Sequence, residues 1–174
     1  MALQWSSRRC CSLVILLCAA FGAAQEKSHP VLVQITELRP SNYTCTVVTE
    51  DNLVRREVQS IVRGQVSRPE IFEGNVSADD IQLLTKLVNS PDFREAARNN
   101  PAGTTVVSPT GRILAVEVNL GSELERVAFA DGTGTMPTPP YLLGLVSFAD
   151  DVENRKLPKV KGKVARMCRP LSQH

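Results

Sequence analysis

The cysteines constrain this chain more than any other residue type. Five occur, at positions 10, 11, 18, 45 and 168. The first three fall in a segment that reads as a removable leader. Residues 1–9 carry Arg8 and Arg9 and no acid, residues 10–20 are apolar except for Ser12, and residues 19–24 are small apart from Phe21. A charged start, an apolar run and a small-residue end make the layout of a secretory signal, with cleavage expected after Ala24. The apolar run is shorter than the roughly 18 to 20 residues that span a bilayer, which argues against an uncleaved anchor. Ser7-Arg8-Arg9 resembles the start of a twin-arginine export signal. Cys11 and Ser12, however, stand where that signal type carries a Phe-Leu pair, so the general export route is favoured.

Removing residues 1–24 leaves two cysteines, Cys45 and Cys168. An exported chain meets an oxidising compartment, where such a pair is expected to form a disulfide. The alternative is two unconnected buried thiols. A zinc site is disfavoured, because the only imidazoles, His29 and His174, lie near the ends of the exported chain. A Cys45–Cys168 bridge would close a loop of more than 100 residues. In the chain-entropy picture that contributes about 4 kcal/mol, and it ties the last residues to an early strand.

Charge divides the exported chain. Loss of Arg8 and Arg9 leaves 18 basic residues against 18 acidic ones, a neutral total. Residues 154–174 hold Arg155, Lys156, Lys159, Lys161, Lys163, Arg166 and Arg169 with no acid, a charge of +7, so residues 25–153 carry −7. Such a split speaks about partners rather than fold. Lys156, Lys159, Lys161, Lys163, Arg166 and Arg169 are the candidate contacts for an anionic partner: an acidic protein, a polysaccharide or an anionic lipid surface. The bland reading is that lysines alternating along an edge strand block edge-to-edge aggregation. Nucleic acid is disfavoured outside the cytoplasm, and the exported chain has no Trp to stack on bases.

Periodicity gives the element plan. Residues 31–35, 43–49 and 53–63 read as strands, with Tyr43, Cys45 and Val47 sharing a face and Val54, Val58 and Val62 at even spacing. Ile71-Phe72 marks a short strand. Ser77-Ala78-Asp79-Asp80 starts a helix whose apolar stripe is Ile81, Leu84, Leu87 and Val88, and Asn89-Ser90-Pro91 stops it. Residues 92–98 suit a second, short helix. Residues 104–107 and 112–120 flank Ser108-Pro109-Thr110-Gly111 as a hairpin, and residues 125–130 alternate as a further strand. Pro140 opens a last helix with Leu142, Leu145, Ala149 and Val152 as its stripe. The expectation is an α+β fold: an antiparallel sheet of about five to six strands with two main helices packed on one face. Residues 25–155 form its single domain and residues 156–174 a basic C-terminal segment.

No catalytic, metal or cofactor motif emerges. Asp79-Asp80 and Asp150-Asp151 are adjacent on helices and so point about 100° apart, which does not make a shared site. Asp131-Gly132-Thr133-Gly134 resembles an anion-holding turn, but it lacks the context of a phosphate loop, and Pro137, Pro139 and Pro140 remove donors. It remains the candidate ligand loop. Asn42-Tyr43-Thr44 and Asn75-Val76-Ser77 fit the glycosylation acceptor pattern, which matters only for a eukaryotic source. The reading is an exported, secreted or periplasmic, non-enzymatic binding domain without a cofactor. One alternative is a small-ligand binder or enzyme with a pocket beside the loop at residues 131–140. Another is a structural or inhibitory protein of the cell envelope.

Overall fold

Two-residue alternation in the sequence becomes one antiparallel sheet. The computed structural model describes residues 30–99, 112–120, 123–131, 137–162 and 164–169. Seven strands run in chain order as β1 (Val31–Arg39), β2 (Asn42–Thr49), β3 (Leu53–Val62), β4 (Gln65–Val66), β5 (Glu70–Asn75), β6 (Arg112–Leu120) and β7 (Glu123–Asp131). Their spatial order is β4-β3-β2-β1-β6-β7, with β5 also pairing with β3. The helices are α1 (Ala78–Val88), α2 (Pro91–Asn99) and α3 (Pro140–Asn154).

The α+β class and the antiparallel sheet match the sequence expectation. The element count differs, with seven strands and three helices among the described residues. The extra strand is β4. Residues 53–63 read as one continuous run, but the chain turns back at Arg63 and Gly64, whose φ angles are 52° and 76°. Two successive positive φ values make the turn whose twist suits a two-residue hairpin, and Gly64 adopts its share without a Cβ penalty. The third helix, α2, is the short one expected at residues 92–98, and it buries Phe93 and Ala97. Residues 104–107, read as a strand from sequence, lie outside the described residues.

Register decides which side chains share a face. Val33 pairs with Val48 on β2 and with Val118 on β6, and Ile35 pairs with Val116. These residues, with Val54, Leu114 and Val127, cluster with Leu84 and Val88 of α1, Phe93 and Ala97 of α2, and Leu142, Leu145, Phe148 and Val152 of α3. Fully burying one such side chain stabilises the fold by about 1.5 to 3 kcal/mol. α1 and α3 approach closely at Gly144, where an added Cβ would come 2.7 Å from a Leu87 methyl.

Helix ends follow local chemistry. Ser77 and Asp80 form a reciprocal capping box at the start of α1. The Ser90 hydroxyl accepts from the Phe93 amide at 3.3 Å and starts α2. Pro140 occupies the first position of α3, where its missing N–H costs nothing.

Candidate functional site

The alternate strand residues point the other way, and they are mostly polar. Gln34, Thr36, Arg55, Glu57, Gln59 and Glu117 are all buried, and Glu57 is 0% exposed. A carboxylate without solvent needs partners, because an isolated buried charge is strongly unfavourable. The C-terminal segment supplies them. Arg166 Nε donates to Glu57 Oε2 at 3.0 Å, and the amides of Met167 and Cys168 donate to Oε1 at 2.9 and 3.2 Å. Arg55 donates to the Ala165 carbonyl at 2.9 Å and holds Glu73 at 2.7 Å. Gln34 accepts from the Arg169 amide at 2.9 Å and donates back to the Arg169 carbonyl at 3.1 Å.

A covalent bond sits among these contacts. Cys45 on β2 and Cys168 form a disulfide with their Cα atoms 6.3 Å apart, as expected from the sequence. The two half-cystines and Val47 make a small buried cluster with Val31, Tyr43 and Met167 packed on it. Burial raises the pKa of the Tyr43 phenol. The C-terminal segment is thus a clasp, laid from β5 across β3 and β2 to β1.

Upstream, the segment runs beside β5. The Glu73 amide donates to the Pro158 carbonyl and the Val160 amide to the Ile71 carbonyl, at 3.1 and 2.8 Å. Only a single bridge, Phe72 to Lys159, stands where the sequence suggested an edge strand.

The clasp sorts the basic residues into two groups. Arg155 holds both carboxylate oxygens of Asp80 at 2.8 and 2.9 Å, Lys159 holds Glu70 at 2.5 Å, and Arg166 holds Glu57. The Arg155 guanidinium keeps the Asp80 carboxyl well below the usual carboxylate range, helped by Ser77. Lys156, Lys161 and Arg169 are exposed and make no side-chain ion pair among the described residues. The structure does not describe the Lys163 side chain.

Other sequence candidates do not converge. Asp80 is spent on the α1 cap and on Arg155. Tyr43 packs by the disulfide, whereas Tyr141 packs on the helix-side cluster. Gly132, Thr133 and Gly134 lie outside the described residues, and Asp131 is the last residue of β7. Among the described residues no group of three or more His, Cys, Asp or Glu is placed to hold a metal, and no helix is long and apolar enough to cross a membrane.

Two features were missed from sequence. One is a cleft of about 140 Å³ between β1, β2, β6 and α3, lined by apolar Ile35, Leu114 and Val146 and by polar Asn42, Thr44 and Glu153. Its walls come from three distant segments, so no local pattern marks it. The other is the β3–β4 hairpin, which leaves Val62 64% and Val66 59% exposed. Arg-Gly between two valines is the signal that could have found it.

No family model matches the sequence, and no curated protein matches it.

Proposed function

We propose that this chain is an exported binding domain for an anionic partner, with the basic residues outside its internal ion pairs as the contact surface. The observation that carries this reading is the sorting of charge. Arg63, Arg68, Lys156, Lys161 and Arg169 are exposed with no ion-pair partner among the described residues. Of the exposed acids that make no ion pair among the described residues either, Glu50, Asp79, Asp92 and Glu95 lie in the β2–β3 turn and on α1 and α2, where Lys86 and Arg98 are exposed cations without an ion pair, and Asp151 lies on α3. A fold tied by the Cys45–Cys168 disulfide keeps those cations on a rigid support, and the disulfide itself suits an oxidising compartment.

The test is retention of the disulfide-bonded protein on immobilised dextran sulfate. Exposed charges are screened by salt, so elution should come with rising ionic strength. Replacing Arg63, Arg68, Lys156 and Lys161 together by Gln should move elution to much lower salt. Unchanged elution would refute the reading. Mass analysis of the exported protein should show a chain starting at Gln25, which tests the leader separately.

A second reading, a small-ligand binder, rests on the cleft under α3. Its 140 Å³ is below the roughly 300 Å³ at which drug-sized sites begin, so it suits only a ligand of a few heavy atoms.

A further inference from the structure

We propose that the β3–β4 hairpin is a docking finger for an anionic lipid surface; this rests on the reading that the partner is anionic.

The hairpin stands clear of the sheet. β2 follows β3 only to Ser60, with one further bond from the Ile61 amide to Ser41, and β5 follows it only from Leu53 to Val58. From Val62 onward the ribbon has two strands and no neighbour in the sheet, and residues 62–68 are all exposed.

Its apolar residues point in opposite directions. Val66 pairs with Ile61, and Val62 pairs with Gln65. Successive positions on a strand face opposite sides, so the two valines occupy opposite faces of the ribbon. A flat protein surface covers one face of such a ribbon. A lipid headgroup layer surrounds it and covers both.

The charge fits the same medium. Residues 59–69 contain Arg63 and Arg68 and no acid. The clasp adds to this end of the sheet. It runs antiparallel to β5 with Val160 bonded to Ile71, which places exposed Lys161 beside the start of β5. The acid located there, Glu70, is already neutralised by Lys159. Basic side chains near an anionic leaflet each strengthen binding by about fivefold.

Depth follows from the backbone. A two-stranded ribbon has unpaired peptide groups along its edges, which hydrocarbon does not tolerate. Arg63 at the tip sets the same limit. The finger therefore sits among headgroups, with its valines at the boundary of the acyl chains.

The experiment is sedimentation of the disulfide-bonded exported protein with phosphatidylcholine vesicles, with and without about one third phosphatidylglycerol, a fraction chosen to set a strong negative surface potential. Binding is expected only to the anionic vesicles. Val62→Ser with Val66→Ser should lower that affinity about tenfold and leave elution from dextran sulfate unchanged. Arg63→Gln with Arg68→Gln should lower both. The sites are solvent-exposed, so thermal melts should coincide with the parent. Vesicle binding untouched by the valine changes would overturn the finger. Dextran sulfate retention without vesicle binding would overturn the lipid proposal and leave the anionic-partner reading standing. Loss of both in the parent protein would remove both. Valine-dependent retention on polyglutamate without vesicle binding would assign the finger to an acidic protein and overturn the lipid proposal.

Discussion

The two faces of the sheet are buried by different physics. On the side that meets the helices, Val33, Ile35, Val48, Val54, Val116 and Val118 are buried among apolar side chains. On the other side, Gln34, Arg55 and Glu57 are buried under a strap of chain and answered by hydrogen bonds. Neighbours in sequence are split between these worlds: Val54 and Arg55 are adjacent, and both are buried. Hydrophobic burial is non-directional and tolerates replacements that conserve volume. A buried polar network tolerates little, because removing one partner leaves the other desolvated and unanswered. The helix side should therefore be forgiving in detail and the clasp side exacting.

The largest break in the comparison should come from the covalent link. Cys45→Ser with Cys168→Ser removes a bridge spanning 123 residues and should cost about 4 kcal/mol by the chain-entropy estimate, read by urea unfolding. Arg166→Ala keeps the bridge but takes away the countercharge of Glu57, and should cost about 3 kcal/mol. A loss below about 1 kcal/mol would mean that the two backbone amides suffice for that carboxylate.

A smaller effect belongs to the contact between α1 and the start of the clasp. Asp80 has its folded pKa depressed below the ordinary value of 3.8, chiefly by Arg155. Its contribution is therefore present above that ordinary value and is lost as pH falls through the folded pKa. Because Arg155 is one-third exposed, solvent screening limits the pair and its cap to about 1 kcal/mol. Asp80→Asn should remove that much at pH 7 and progressively less as pH falls below 3.8. The smallest effect is expected at the hairpin. Val62→Ser should shift stability by no more than about 0.5 kcal/mol, since Val62 touches little.

The helix side was legible in the sequence, and the clasp side only at its covalent point. Leu114, Val116 and Val118 announce a strand face, and Leu142, Leu145 and Val152 a helix stripe, because apolar periodicity is local and repeats. The disulfide was legible because Cys45 and Cys168 are the two cysteines outside residues 1–24, the segment read as a leader. Glu57 was not. A charged residue in a strand ordinarily signals solvent, and its partners lie 109 to 111 residues away. The pairing of the basic segment was hidden for the same reason. Its charges read as outward-facing, and Arg155, Lys159 and Arg166 are exposed, but each also pairs with an acid of the fold that no local pattern shows. The cleft under α3 and the hairpin were hidden by distance and by one glycine respectively.

The most direct test of the contrast between the faces is a pair of near-isosteric substitutions, Leu145→Met and Glu57→Gln, compared by urea unfolding at pH 7 with the disulfide intact. Both side chains are 0% exposed. Leu145→Met should cost less than about 1.5 kcal/mol, as volume-conserving core changes do. Glu57→Gln removes the charge that faces Arg166 and turns an amide donor toward other donors, so it should cost at least about 2 kcal/mol. Equal losses, or a larger loss for Leu145→Met, would contradict the claim that the clasp face is held by directional, charge-assisted contacts.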